Sequence, residues 1–97
     1  MELDGKVAIV TGGAVRLGRV LALALAEQGV RVGVHYDSSA GPAEIVVKEI
    51  KAMGGDATAI QADLSRPGEA RSIVERAVAH FGQVDVLVNS PDQRCRL

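Results

Sequence analysis

Apolar positions along this chain alternate between two rhythms. Residues 6–11 (KVAIVT) are almost continuously apolar, as a short strand covered on both faces should be. From Arg16 to Gln28 the residues Leu17, Val20, Leu21, Ala24 and Leu25 recur at helical spacing, predicting a helix with that stripe turned inward. Gly29 supplies its stop. A second strand is predicted over Arg31–Tyr36, then a helix over Pro42–Met53 with Ala43, Val47 and Ile50 on one face. Gly54 and Gly55 close that helix, and a third strand follows over Ala57–Ala62. Pro67–Phe81 carries Ala70, Ile73, Val74, Ala77, Val78 and Phe81 at helical intervals, with Glu69, Arg71, Glu75 and Arg76 on a solvated side. Gly82 ends it, and Val84–Asn89 predicts a fourth strand. Strands alternating with helices predict an α/β fold, a parallel sheet with right-handed crossovers and helices on both faces.

The stretch Val7–Gly18 (VAIVTGGAVRLG) places a glycine-bearing turn between the first strand and the first helix. That order is the phosphate-cradling unit of dinucleotide-binding sheets. A glycine without Cβ permits a tight turn and close approach of a phosphate. The helix that follows offers unpaired N–H groups and a positive dipole end to an anion. A phosphate-loop reading for nucleoside triphosphates fails because no Gly-Lys-Ser/Thr follows the glycines, and no glycine-dense GxGxG supports a methyltransferase.

Composition narrows this little. The 97 residues suit one domain or part of one: residues 1–90 are read as the domain and 91–97 as an irregular tail. A net charge of -1 and only two aromatic residues, Tyr36 and Phe81, argue against nucleic acid and anionic membrane as partners. Cys95 is the single cysteine, so no internal disulfide is expected, and His35 and His80 lack ligand-like spacing. No apolar run approaches membrane-spanning length and the start MELDGK is no secretory signal, so a cytoplasmic location is expected.

Three motifs in order resemble the short-chain dehydrogenase/reductase family: Thr11–Gly18 after the first strand, Asp63-Leu64 after the third, and Asp85–Asn89 in the fourth. The chain looks most like the 3-oxoacyl-carrier-protein reductase and pteridine reductase branches. The resemblance covers about residues 4–90 and implies the N-terminal half of a Rossmann-type doubly wound sheet with strand order 3-2-1-4. It also implies a dinucleotide cofactor and, for the parent enzyme, hydride transfer between NADP(H) and a carbonyl or alcohol substrate. Cofactor contacts are expected at Gly12, Gly13, Arg16, Leu17, Gly18, Tyr36, Asp37, Ser38, Ser39, Asp63, Leu64 and Asn89. By resemblance, Asp63 would hold the adenine amino group and Asn89 would brace the loops at the crevice.

Four departures from the family pattern carry information. Arg16 stands where TGxxxGxG has its middle glycine, a cation at a helix N-terminus that a bound pyrophosphate would favour. Tyr36 occupies the position of the acidic residue that selects NAD through the ribose 2′-OH. Ser38 and Ser39, assisted by Arg16 or a neutral His35, would suit the 2′-phosphate of NADP, with NAD the alternative. Asp37 would repel that phosphate unless it turned outward or capped the next turn. The family's serine and YxxxK pair, the tyrosine its general acid/base, has no counterpart here: Tyr36 is followed four residues later by Ala40, so no catalytic residue is assigned. Asn89 is followed by Ser90-Pro91-Asp92 where the family continues NNAG, a change expected of a truncation or a reading-frame shift. A non-catalytic nucleotide-binding module or a product without function are the alternative readings. A fourth strand left as an apolar edge would also favour self-association.

Overall fold

The computed structural model describes residues 3–12, 14 and 16–89. The elements run β1 (Val7–Thr11), α1 (Arg16–Glu27), β2 (Arg31–Tyr36), α2 (Ala40–Ala52), β3 (Ala57–Gln61), α3 (Glu69–Phe81) and β4 (Val86–Asn89). All seven predicted elements form. Their ends move by one or two residues: α2 begins two residues before Pro42, α3 begins after a Gly68 N-cap rather than at Pro67, and β4 starts at Val86. The tail at 91–97, including Cys95, lies outside the described residues.

The sheet is parallel throughout, with order β3-β2-β1-β4. Alternation along the strands divides the interior into two layers. Ala8, Val10, Val32, Val34 and Ala57 face α1 and α2, where Ala43, Val46, Val47 and Ile50 close over them. Val7, Ile9 and Ile60 face α3, meeting Ile73, Ala77 and Phe81. Gly33 lies on this second face; a Cβ there would stand 3.2 Å from Ile60 Cδ1 and 3.5 Å from Ile9 Cγ1, so its absence lets the two isoleucines close over β2.

One helix faces the sheet differently from its predicted stripe. The buried residues of α1 are Gly18, Ala22 and Ala26, a ladder of small side chains four residues apart. Leu21 and Leu25 flank it, whereas Leu17 and Val20 are 41% and 60% exposed and Ala24 is also exposed. The segment is apolar nearly all round, so spacing alone admits several faces, and close approach of helix to sheet selects the smallest. On α3, Ala70, Val74 and Val78 likewise remain exposed, while Glu69, expected in solvent, accepts a hydrogen bond from the Asp63 N–H. Among the described residues no helix lies alongside β4, and Val86 and Leu87 are 37% and 50% exposed. The expected apolar edge is therefore present.

Side chains fix both ends of the sheet. At the amino end, Asp85 Oδ2 accepts the Val7 N–H at 2.8 Å and the Gln83 amide at 2.8 Å. The first of these bonds is the main reason its carboxyl sits below the usual range. Arg31 donates to the carbonyls of Phe81 and Gly5, tying the end of α3 to the turn before β1. Arg19 pairs with Glu49 through both carboxylate oxygens at 2.8 Å, joining α1 to α2. Its charge is thus met within the chain rather than directed at the helix N-terminus.

Candidate functional site

The strand order dictates where a crevice opens. The chain leaves β1 through α1 toward β2 on one side and returns through α3 to β4 on the other, so helices diverge at the carboxyl ends of β1 and β4. Thr11 and Asn89 meet there as register partners: the Thr11 hydroxyl lies 3.0 Å from Asn89 Oδ1 and 3.3 Å from the Val88 carbonyl. Asn89 is thereby fixed by its oxygen. Sequence reading singled out the asparagine but not its partner.

Two of the described residues between β1 and the start of α1 lie in the left-handed region. Gly12 has φ 65°, which glycine adopts without penalty. Arg16 has φ 54° and is the sole non-glycine residue with positive φ among the described residues. An L-residue pays roughly 1–2 kcal/mol there. This explains in backbone terms why the related pattern has glycine at that position, and it places strain at the amino-terminal end of α1. Arg16 is exposed, and Gly18 is buried in the α1 ladder. Gly13 lies outside the described residues.

His35 corrects its expected role. Its ring is fully buried, on the α3 side of β2, and cannot reach toward a ribose phosphate. Nδ1 accepts the Gly12 N–H at 3.0 Å, and Nε2 stands 2.9 Å from the Ala62 carbonyl. A carbonyl only accepts, so Nε2 carries the proton and the ring is the neutral Nε2–H tautomer. Burial pushes the ring's pKa below its ordinary 6.5, against the opposing pull of the Ala62 bond. A lowered folded-state value means that the unfolded chain takes up this proton first as pH falls. Stability therefore falls as pH drops from about a unit above 6.5 toward the lowered folded-state value, by at most about 1.4 kcal/mol per pH unit, and His35 adds no further slope below that value. Urea midpoints between neutral pH and pH 5, read against His35→Phe, isolate this slope; equal slopes in both chains would refute it.

Around the end of β2 the backbone is held rather than loose. Ala62 N–H donates to the Tyr36 carbonyl at 3.0 Å, and Gln61 Nε2 donates to the Asp37 carbonyl at 3.0 Å. Arg76 on α3 in turn donates to the Gln61 carbonyl. Tyr36 is half-buried against the α1–α2 layer, and the Asp37 and Ser38 side chains are exposed. Ser39 occupies the N-cap of α2 without a side-chain capping bond. Asp63, just past β3, makes a local turn: Oδ1 accepts the Ser65 hydroxyl at 2.6 Å and its N–H at 3.0 Å. The hydroxyl bond, then the N–H bond, hold its carboxyl below the ordinary range. Leu64 is half-buried against the α3-side core. The fold thus brings Gly12, Asn89 and Asp63 to one edge of the sheet, with Tyr36–Ser39 beyond β2 on the same edge. Among the described residues there is no His, Cys, Asp and Glu grouping for a metal, and no helix long and apolar enough to cross a membrane.

The short chain dehydrogenase family pattern matches residues 6–91. The chain is 51% identical over 89 residues to an uncharacterized oxidoreductase of Methylorubrum extorquens, covering 92% of this chain and 36% of that protein. It is 47% identical over 85 residues to a 3-oxoacyl-acyl-carrier-protein reductase of Staphylococcus epidermidis, covering 88% and 35%. A short chain dehydrogenase from Burkholderia cenocepacia, solved in complex with NADP, superposes with a TM-score of 0.86 at 44% identity, over 92% of this chain and 36% of that one. The chain therefore spans about a third of the length of the relatives it matches.

Proposed function

We propose a function from one premise: this chain belongs to the short chain dehydrogenase family. Its role is to bind the dinucleotide in the crevice at the carboxyl ends of β1 and β4, as the cofactor-holding part of an oxidoreductase that acts on a carbonyl or alcohol. The observation that carries this reading is the turn from Thr11 to Gly18: a left-handed Gly12, a strained Arg16 at the anion-facing helix end, and a topological switch point beside it. These residues fit a pyrophosphate. Gly12 leaves room for it, Arg16 and the N-terminus of α1 offset its charge, Asp63 borders the adenine, and Asn89 braces the floor. When bound, NADPH supplies the hydride. The chain's own residues bind and orient, and none of them forms the Ser-Tyr-Lys set that moves the proton in this family.

The NADP form is the favoured ligand. Position 36 holds a tyrosine rather than a carboxylate, the Ser38 and Ser39 hydroxyls follow it, and Arg16 is the cation of the Thr11–Gly18 motif. Titration of the chain with NADPH and NADH by nicotinamide fluorescence tests this. NADPH is expected to bind more tightly. Equal or tighter NADH binding overturns the preference, and no binding of either overturns the function.

Arg16→Gly separates strain from recognition. Relief of the left-handed arginine, offset by the freedom glycine gains on unfolding, leaves stability between unchanged and about 1 kcal/mol higher. Loss of the cation lowers NADPH affinity about tenfold. A variant that binds NADPH as well as the parent chain would show Arg16 to be a solvent residue.

A further inference from the structure

We propose that His35 is a positioning residue that couples the glycine turn after β1 to the end of β3, setting the pyrophosphate and adenine parts of the crevice as one unit. Its ligand arm rests on the cofactor reading above; the link itself does not. The ring bridges two strands that are not neighbours: β1 and β3 lie on opposite sides of β2, and His35 in β2 reaches both. Strand parity explains how. His35 lies two residues beyond Gly33, on the same face, with no side chain at 33 to crowd it.

Both bonds end at functional positions. Gly12 is left-handed at the start of the turn, and its N–H is spent on Nδ1, which fixes the orientation of that peptide. Ala62 precedes Asp63, and its N–H is in turn held by Tyr36, so the end of β3 is gripped from two sides. One imidazole therefore sets the relative placement of the residues expected at the two ends of an adenosine diphosphate. The arrangement needs the neutral ring, because a proton on Nδ1 would face the Gly12 N–H donor to donor. Charged groups bearing on the ring are Asp37, just past β2, and Arg76 from α3; β1 and β3 contain no titratable residue.

The link is testable without ligand. In the 15N-labelled chain a scalar coupling is expected between the Gly12 amide nitrogen and His35 Nδ1 across the hydrogen bond. The Gly12 and Ala62 amide signals are expected to shift on acidification with one shared midpoint, that of the ring. Absence of the coupling, or separate midpoints for the two amides, overturns the proposal. In the ligand arm, His35→Phe keeps a ring of similar size and removes both bonds, and NADPH affinity is expected to fall about tenfold. Inorganic pyrophosphate perturbs the Asp63 amide in the unaltered chain and leaves it unmoved in the variant, a readout that a purely structural histidine would not change. Affinity within twofold of the parent, with the perturbation retained, overturns the coupling. Should the unaltered chain bind no NADPH, the cofactor reading fails while the coupling and titration still decide the role of His35. Those two ligand-free measurements also decide it if His35→Phe does not fold.

Discussion

Ile9→Ala is expected to destabilise the chain by about 2–5 kcal/mol, toward the upper part of that range. Ile9 is fully buried in the central strand on the α3 side. What sets the magnitude is its neighbour. The register partner on β2 is Gly33, which has no side chain to move into the space, and on the other side Leu87 belongs to a half-open edge strand. A cavity at Ile9 therefore stays largely unfilled, and the cost of a truncation rises with the cavity that remains. A chain of this size holds roughly 5–15 kcal/mol in total, so the loss is a large share. Urea unfolding measures it, with Ile45→Ala on the exposed face of α2 as the comparison, expected within about 0.5 kcal/mol of the parent. Similar costs at the two positions would show that the α3-side layer is not packed as described.

Ala22→Leu carries the second large effect, from the opposite cause. Ala22 is fully buried at the middle of the Gly18–Ala22–Ala26 ladder, where α1 approaches the sheet on its smallest side chains. Leucine there has no room without lifting the helix. Overpacking of this kind costs about 1–3 kcal/mol. Lifting α1 also displaces Gly18 and Arg16, so NADPH affinity is expected to fall with the melting temperature. Leu17→Ala and Val20→Ala, at exposed positions, are expected to leave stability nearly unchanged. Thermal melts of the three variants decide between the ladder and the leucine stripe.

That reversal shows where sequence patterning reaches its limit. Element order was legible because strands and helices alternate between clear glycine stops, and that alternation with short connections leaves few parallel arrangements. The inward face of α1 was not, since a segment reading LALALA satisfies helical periodicity on more than one side. Distance to the sheet, a tertiary quantity, chose the face. His35 was misplaced for a related reason. A histidine at the end of a strand reads as polar and outward, yet its parity with Gly33 puts it on the buried side that Ile9 and Ile60 line. The parity was available in the sequence; its hydrogen-bond partners, 23 and 27 residues away, were not. Arg16 is the converse case. The missing glycine was visible, and the left-handed backbone at φ 54° supplies its physical meaning.

The order β3-β2-β1-β4 also bears on how the chain folds. The strand made earliest is the one that ends in the middle. β1 can dock β2 once about two dozen residues have followed it, but its other side waits for β4, whose Val86 partners Ala8. Closing that longer loop costs more chain entropy before any contact repays it, and the pairing is intrinsically slow. During synthesis, the edge of β1 that β4 later pairs with thus stays open after β2 and β3 have been made. A nascent chain would be most prone to mispairing along Val7–Thr11 until residues 86–89 arrive.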